Sequence, residues 1–262
     1  MSTGAGPGRS TPGQERVVAI IPARLGSTRF PRKVLANRTG KLLVQHVFEA
    51  ASRASSVQRV VIATDSDEVA RAVAGFGAEA IMTSVEHANG TSRLGEAAGR
   101  LGLSPRDIVV NVQGDEPEIE PEVIDAAVAA LRASDAPTAT VASPFRADEN
   151  PGDPNLVKVV RRRDGCALYF SRGAIPYPRA AGQAPAQPLR HIGLYVYRTA
   201  FLRVYASLEP TPLEQTEVLE QLRILEHGHA MAVAVHPSRG VGIDTPEQYE
   251  AFVARYRAGS RT

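Results

Sequence analysis

The chain has 262 residues, with 30 Lys and Arg against 28 Asp and Glu, 43% apolar residues and a single cysteine. That length can bury a sizeable core, and the near-balance of charge argues against a general nucleic-acid or membrane-surface binder, which would spread a basic excess over one face. Cys166 alone cannot build an intrachain disulfide framework or a thiolate metal cluster, and no apolar run approaches the ~18 residues of a membrane span.

Residues 1–15, rich in Gly, Ser, Thr and Pro, read as a disordered tail ahead of one domain over 16–262, in a protein expected to be cytoplasmic. Strand-like apolar runs follow at 16–21, 59–63, 79–83 and 108–112, separated by helical patterns at 41–54, 67–76 and 91–101. In the first helix Leu43, Val47, Ala50, Ala51 and Ala54 form one apolar stripe. Strand–helix alternation with short connections predicts a doubly wound α/β fold with a mostly parallel sheet, its strands apolar on both faces. After a helix at 121–133 the rhythm changes. Runs 156–163 and 166–171 flank Asp164-Gly165, a hairpin signal, and 176–188 is a Pro/Ala/Gln-rich loop. Residues 190–197 alternate as a strand. Then come one helix at 211–227 with a Thr211/Glu214 capping box, strand at 229–235 and 242–243, and a closing helix at 246–256. The antiparallel excursion, 146–190, is expected to serve as a dimer arm.

The first strand stops at Pro22 and empties into a loop carrying Arg24, Arg29, Arg32 and Lys33. Cation-to-phosphate hydrogen bonds are strong, and the carboxyl end of a strand is where doubly wound sheets bind ligands. The spacing matches neither a P-loop nor a dinucleotide fingerprint. What remains is a turn in which Gly26, Ser27 and Thr28 let the backbone approach phosphate oxygens, with Arg24 and Lys33 as counter-charges. The competing reading is a solvated basic loop.

Asp115 follows the buried run 108–112, and Asp244 follows a short apolar stretch near the end of the chain. Each is a candidate ligand for a magnesium ion riding on the phosphates. The competing reading of Asp115 is turn chemistry, and Asp244 reads equally as the N-cap of the last helix. Asn89, Gly90, Thr91 and Arg93 open a helix whose amides can hold a phosphate or a base edge. His191, Gly193 and Tyr195 share one strand face, and Glu217, Glu220 and Gln221 one helix face. Lys158 and Arg161–Arg163 read as a solvated basic cluster.

Seven blocks occur in order: IIPARLGSTRFPRK, HANGTSRLGE, IVVNVQGDEP, VKVVRRRDGCALYFSR, RHIGLYVYR, PLEQTEVLEQLR and GVGIDTPE. Together they resemble the CMP-Kdo synthetase (3-deoxy-manno-octulosonate cytidylyltransferase) family over most of the chain. The resemblance implies a nucleotidyltransferase sheet of the Rossmann-like, GT-A-like kind. It also implies a homodimeric, Mg2+-dependent enzyme that joins CTP to an acidic sugar and releases pyrophosphate. Carried over by position, Pro22, Ala23, Arg24, Gly26, Ser27, Lys33, Asn89, Gly90, Thr91, Arg93 and Asp115 would contact the nucleotide. Arg24, Lys33, Asp115 and Asp244 would be catalytic, with Asp115 and Asp244 on the metal. Gln113, His191, Tyr195, Glu220 and Gln221 would face a small anionic acceptor, Kdo or a related acid sugar. The chain departs from the family at Arg32, where glycine is usual, at Val34 in place of proline, at Ser92 in place of an acidic residue, and in a shorter 176–190 segment. The alternative is the same CTP chemistry on a phosphonate. A nucleotide-sugar glycosyltransferase and a non-catalytic nucleotide sensor rank behind it, since Gln113 replaces the first Asp of a D-x-D motif and both metal carboxylates are present.

Overall fold

The computed structural model describes residues 15–26, 29–87, 90–179 and 186–259. The expected tail therefore lies outside the described residues except for Glu15, which pairs with Arg132 at 2.9 Å. Four strands run parallel at one side of the sheet: β1 (Val17–Pro22), β2 (Arg59–Thr64), β3 (Glu79–Met82) and β4 (Ile108–Asn111). The sheet continues through β8 (Leu189–Arg198), antiparallel to both neighbours, to β5 (Thr138–Pro144) and β9 (Met231–Val235), giving the order β3-β2-β1-β4-β8-β5-β9. The sheet is mixed and mostly parallel, as the alternating sequence predicts.

Both faces are buried, which is why β1 is apolar at every turn of its pleat. Val17, Ala19 and Ile21 join one core with α1 (Leu43–Ala51), α2 (Asp67–Ala74) and α4 (Pro121–Arg132). Val18 and Ile20 join the other core with α3 (Gly90–Arg100) and α5 (Thr199–Ala206). Neither β5 nor α5 stands out in the sequence. TATVASP has no apolar run, yet six of its seven residues are buried because small side chains fit between β8 and β9.

The hairpin forms as expected. β6 (Lys158–Arg161) and β7 (Ala167–Ser171) pair antiparallel, and Gly165 takes φ 88° at the turn. β6 also pairs with β8, so the excursion stays joined to the main sheet. Two expectations are corrected. The helix at 211–227 is two, α6 (Pro212–Glu217) and α7 (Gln221–Glu226), broken at a left-handed Val218 with φ 53°. Residues 242–243 form no strand; Ile243 N–H donates once, to the Asp115 carbonyl at 2.9 Å. The closing helix, α8, spans Pro246–Gly259.

Two backbone positions set the ligand-facing end of the sheet. A Cβ on Gly114 would lie 2.7 Å from the Pro22 carbonyl oxygen, so only glycine lets the chain leaving β4 run that close to the end of β1. Arg32 adopts a left-handed conformation, φ 59° and ψ 22°, immediately before the 3-10 turn Lys33–Leu35. Glycine would take that geometry without a Cβ penalty. Arg32 instead forks onto Glu68 of α2, with Nη1–Oε2 at 3.0 Å and a second, shorter Nη2–Oε1 contact.

Gly114→Ala is expected to lower the unfolding free energy by about 1–3 kcal/mol, because a backbone carbonyl cannot swing aside. An unchanged denaturation midpoint would mean that the strand ends separate freely. Arg32→Gly is expected to be more stable than Arg32→Ala by about 1 kcal/mol, since both lose the Glu68 pair and only glycine is unstrained at positive φ. Equal midpoints would remove the strain at this position.

Candidate active site

β1 and β4 end side by side, and the segments leaving them wall a cavity of ≈ 550 Å³, within the usual range for a ligand pocket. Pro22, Ala23, Arg24 and Gly26 leave β1, and Gln113, Gly114 and Asp115 leave β4. Gly90, Thr91 and Arg93 bring the amino end of α3 to the same space, and Asp244 closes it from the far end of the chain. Ser27 and Asn89, expected at the nucleotide, lie outside the described residues.

Lys33 lies in the 3-10 turn and is only 8% exposed. Its Nζ donates to Asp115 Oδ2 at 2.7 Å, to the Ile243 carbonyl at 2.6 Å and to Asp244 Oδ1 at 3.4 Å. Arg29, singled out only as loop charge, also reaches Asp244 Oδ1, at 3.1 Å. Asp244 is not the helix cap. Thr245 takes that part: its Oγ1 accepts from Gln248 N–H at 3.3 Å, while Gln248 Oε1 accepts from the amides of Asp244 and Thr245. The Asp244 carboxylate is thereby left for the cavity, and it converges with Asp115 on one point. Two carboxylates with open space for phosphates beside them match magnesium, a hard cation that takes one or two carboxylates plus substrate oxygens. Among the described residues no cluster of three or more acidic, His or Cys side chains offers a protein-only metal cage.

Glu116, next to Asp115, has no expected role. Burial, reinforced by the Asp115 charge, pushes its carboxyl up to about 8. Its Oε1 lies 3.2 Å from where a Cβ on Gly193 would sit, so a larger residue in β8 would press on this carboxyl.

Arg93, expected to contact the nucleotide, is 4% exposed and structurally committed: it donates to Asp65 at 2.7 Å and to Thr83 Oγ1 at 2.5 Å. It keeps the amino end of α3 against β2 and β3. His87, whose ring bonds Glu96 at 2.5 Å and Ser92 at 3.1 Å, lines the wall beside it. Ser92 thus serves a histidine.

On the opposite wall, Tyr195 donates to Gln221 Oε1 at 3.0 Å, and Glu220 stands next to Gln221. Burial raises the Glu220 carboxyl; Glu214 adds to this, and Arg223 and Arg24 oppose it. His191 does not line the cavity. Its Nε2 contacts Thr140 Oγ1 at 2.8 Å and its ring packs between Phe170 and Tyr195. Burial pushes its imidazole down to about 3, so it is a neutral support behind Tyr195. Glu217 also lies off the cavity, because the break at Val218 rotates it away from Glu220. The lining residues not singled out include three with polar groups. Tyr197 shares the parity of Tyr195, Asn111 is a polar residue within an apolar strand, and Tyr205 comes from the unforeseen α5. The first two were readable in the sequence.

The sequence pattern of the cytidylyltransferase family matches residues 18–232. A 3-deoxy-manno-octulosonate cytidylyltransferase of Syntrophobacter fumaroxidans is 49% identical over 240 residues, covering 91% of this chain and 96% of the relative. That of Anaeromyxobacter sp. (strain K) is 49% identical over 244 residues, covering 93% and 99%. Among solved structures, a CMP:2-keto-3-deoxy-manno-octonic acid synthetase complexed with CTP superposes with a TM-score of 0.87 at 39% identity, covering 94% of this chain and 100% of that one. A 4-diphosphocytidyl-2C-methyl-D-erythritol synthase, at 12% identity and TM-score 0.60, shares the fold. The chain belongs to the 3-deoxy-manno-octulosonate cytidylyltransferase family, the CTP-dependent enzymes that form CMP-Kdo.

Proposed function

We propose that this chain performs the family reaction through the Asp115–Lys33–Asp244 cluster, with Mg2+ held by the two aspartates. A hydroxyl oxygen of Kdo bonds to the α-phosphorus of CTP, the bond to the β-phosphate oxygen breaks, and the hydroxyl proton is released with pyrophosphate. The observation that carries this reading is the convergence of two carboxylates and one ammonium, from three remote segments, on the wall of a single cavity. When bound, magnesium supplies charge neutralisation for the phosphates and acidifies the attacking hydroxyl.

The protein groups divide the remaining work. Arg24 and Arg29 are exposed at the cavity edge, where they can meet the outer phosphates and the charge that grows on the leaving group. Lys33 holds Asp115 and Asp244 together against their mutual repulsion, its three donors divided among those two carboxylates and the Ile243 carbonyl. The amino end of α3, with Gly90 and Thr91, borders the space assigned to cytidine. Tyr195, Gln221 and Glu220 form the acceptor wall. Asn111, which lines the cavity, has its Oδ1 buried with no protein partner among the described residues. The named relatives act on 3-deoxy-manno-octulosonate, which favours this acid sugar over a phosphonate. No helix among the described residues is long and apolar enough to cross a membrane. The reading places the enzyme in the cytoplasm as a homodimer. Leu168, 56% exposed on β7, supports the hairpin as the contact.

The function is tested by pyrophosphate release from CTP and Mg2+ with Kdo, beside the other nucleoside triphosphates, related ulosonic acids and small phosphonates. Kdo with CTP is expected to turn over best; turnover of a phosphonate alone would overturn the acceptor. Asp115→Asn and Asp244→Asn are each expected to cut kcat by about 10²–10³ or more while the thermal midpoint stays within a few degrees. Full activity of either variant at saturating Mg2+ would remove that residue from the site. Lys33→Ala is expected to lower kcat by about 10²-fold with little change in the acceptor KM. A raised acceptor KM at unchanged kcat would place Lys33 on the wrong substrate.

A further inference from the structure

The acceptor wall hangs on a backbone conformation that its own residue disfavours. Val218 is β-branched and sits at φ 53°, ψ 53°, a region such side chains rarely occupy. It is 75% exposed, so no side-chain burial holds it there. The three residues after it, Leu219, Glu220 and Gln221, all line the cavity. Conformations of this kind persist where surrounding contacts over-determine them, and such positions cluster at ligand sites.

Those contacts come from the end of β7. The Glu217 carboxylate accepts from Ser171 Oγ at 2.7 Å, from the Arg172 amide at 2.9 Å and from Tyr169 OH at 3.4 Å. The Arg172 guanidinium answers in the other direction. Its Nε donates to the Glu217 carbonyl at 2.7 Å, its Nη2 to the Val218 carbonyl at 3.3 Å and its Nη1 to the Pro154 carbonyl at 3.0 Å. The Arg172 carbonyl is itself anchored by Lys158 Nζ at 2.5 Å, which also reaches the Asp153 carbonyl at 2.9 Å. Lys158, read from sequence as solvated, is fully buried and spends its ammonium on backbone carbonyls. Two carbonyls flanking the left-handed residue are therefore held by one planar fork, and the preceding side chain is held by three donors. Neither Arg172 nor Glu217 lines the cavity.

We infer that Arg172 and Glu217 are positioning residues: this reciprocal clamp from the β6–β7 hairpin holds the turn at Val218 and so presents Glu220 and Gln221 to the acceptor. The inference rests on assigning that wall to the acceptor. The hairpin is then coupled to acceptor affinity, while the nucleotide end of the cavity, built on β1, β4 and α3, is independent of it.

The test is a double-substitution cycle between Glu217→Ala and Val218→Gly, read by steady-state kinetics with CTP, Mg2+ and Kdo and by amide hydrogen exchange. Glu217→Ala is expected to raise the acceptor KM about tenfold, with the CTP KM within about twofold. Adding Val218→Gly is expected to recover much of that loss, because glycine enters the left-handed region without the clamp. The Val218 and Leu219 amides, which donate to the Glu214 carbonyl, are expected to exchange about tenfold faster in Glu217→Ala. Equal rises in both KM values, or no coupling between the two positions, would overturn the inference. Should Glu217→Ala not fold, Arg172→Lys keeps the charge but cannot span three carbonyls, and the same KM split is expected. The exchange measurement needs no turnover. An unsubstituted enzyme inactive on Kdo therefore sinks the functional assignment, whereas unchanged exchange sinks the clamp.

Discussion

One buried ammonium joins the start, the middle and the end of this chain. Lys33 is bonded to Asp115, 82 positions away, and to Asp244, 211 positions away, and the Ile243 carbonyl accepts a further hydrogen bond from the same ammonium. Two carboxylates brought this close would repel each other in a partly desolvated cavity, and a single interposed positive charge reverses the sign of that interaction. The ammonium acts from a 3-10 turn that begins at a left-handed Arg32, and Asp115 is placed by Gly114, which runs against the end of β1. The site depends on backbone geometry at two residues as much as on the charges it carries.

The cavity is divided electrostatically, and the division follows the sheet. At the β1–β4 side are Arg24, Arg29 and Lys33, facing Asp115 and Asp244. At the β8 side are Tyr195, Tyr197, Gln221 and a Glu220 whose carboxyl is raised by burial. The first half suits a polyphosphate with a hard cation. The second offers hydrogen-bonding groups and the exposed Glu220 carboxyl, which suits a polyhydroxylated acceptor. β8 runs against its neighbours, so its polar face and the ends of the parallel strands open into the same space.

Much of the fold is legible because the first half of the chain obeys simple periodicities. Both faces of β1, β2 and β4 are covered, so the apolar runs are continuous, and the helices between them carry plain stripes. The later elements escape for physical reasons. β5 is built from Thr, Ala and Ser, whose burial follows from where they sit. The 211–227 stretch has unbroken helical periodicity, and nothing local marks Val218 as left-handed; contacts from Arg172, far off in sequence, put it there. His191 alternates onto the same strand face as Tyr195 and yet supports the wall from behind.

By itself, the sequence determined the α/β class, the basic loop after the first strand, the paired acidic residues and the family they signify, because these depend on local pattern and on the order of motifs. Whether Asp244 caps a helix or faces the cavity, which cations are committed to structural carboxylates, and where the 211–227 helical stretch breaks were decided only by the tertiary structure. Each of those outcomes is a competition between partners that sequence distance hides, and it is resolved when burial makes an unpaired charge or a strained backbone too costly to leave uncompensated.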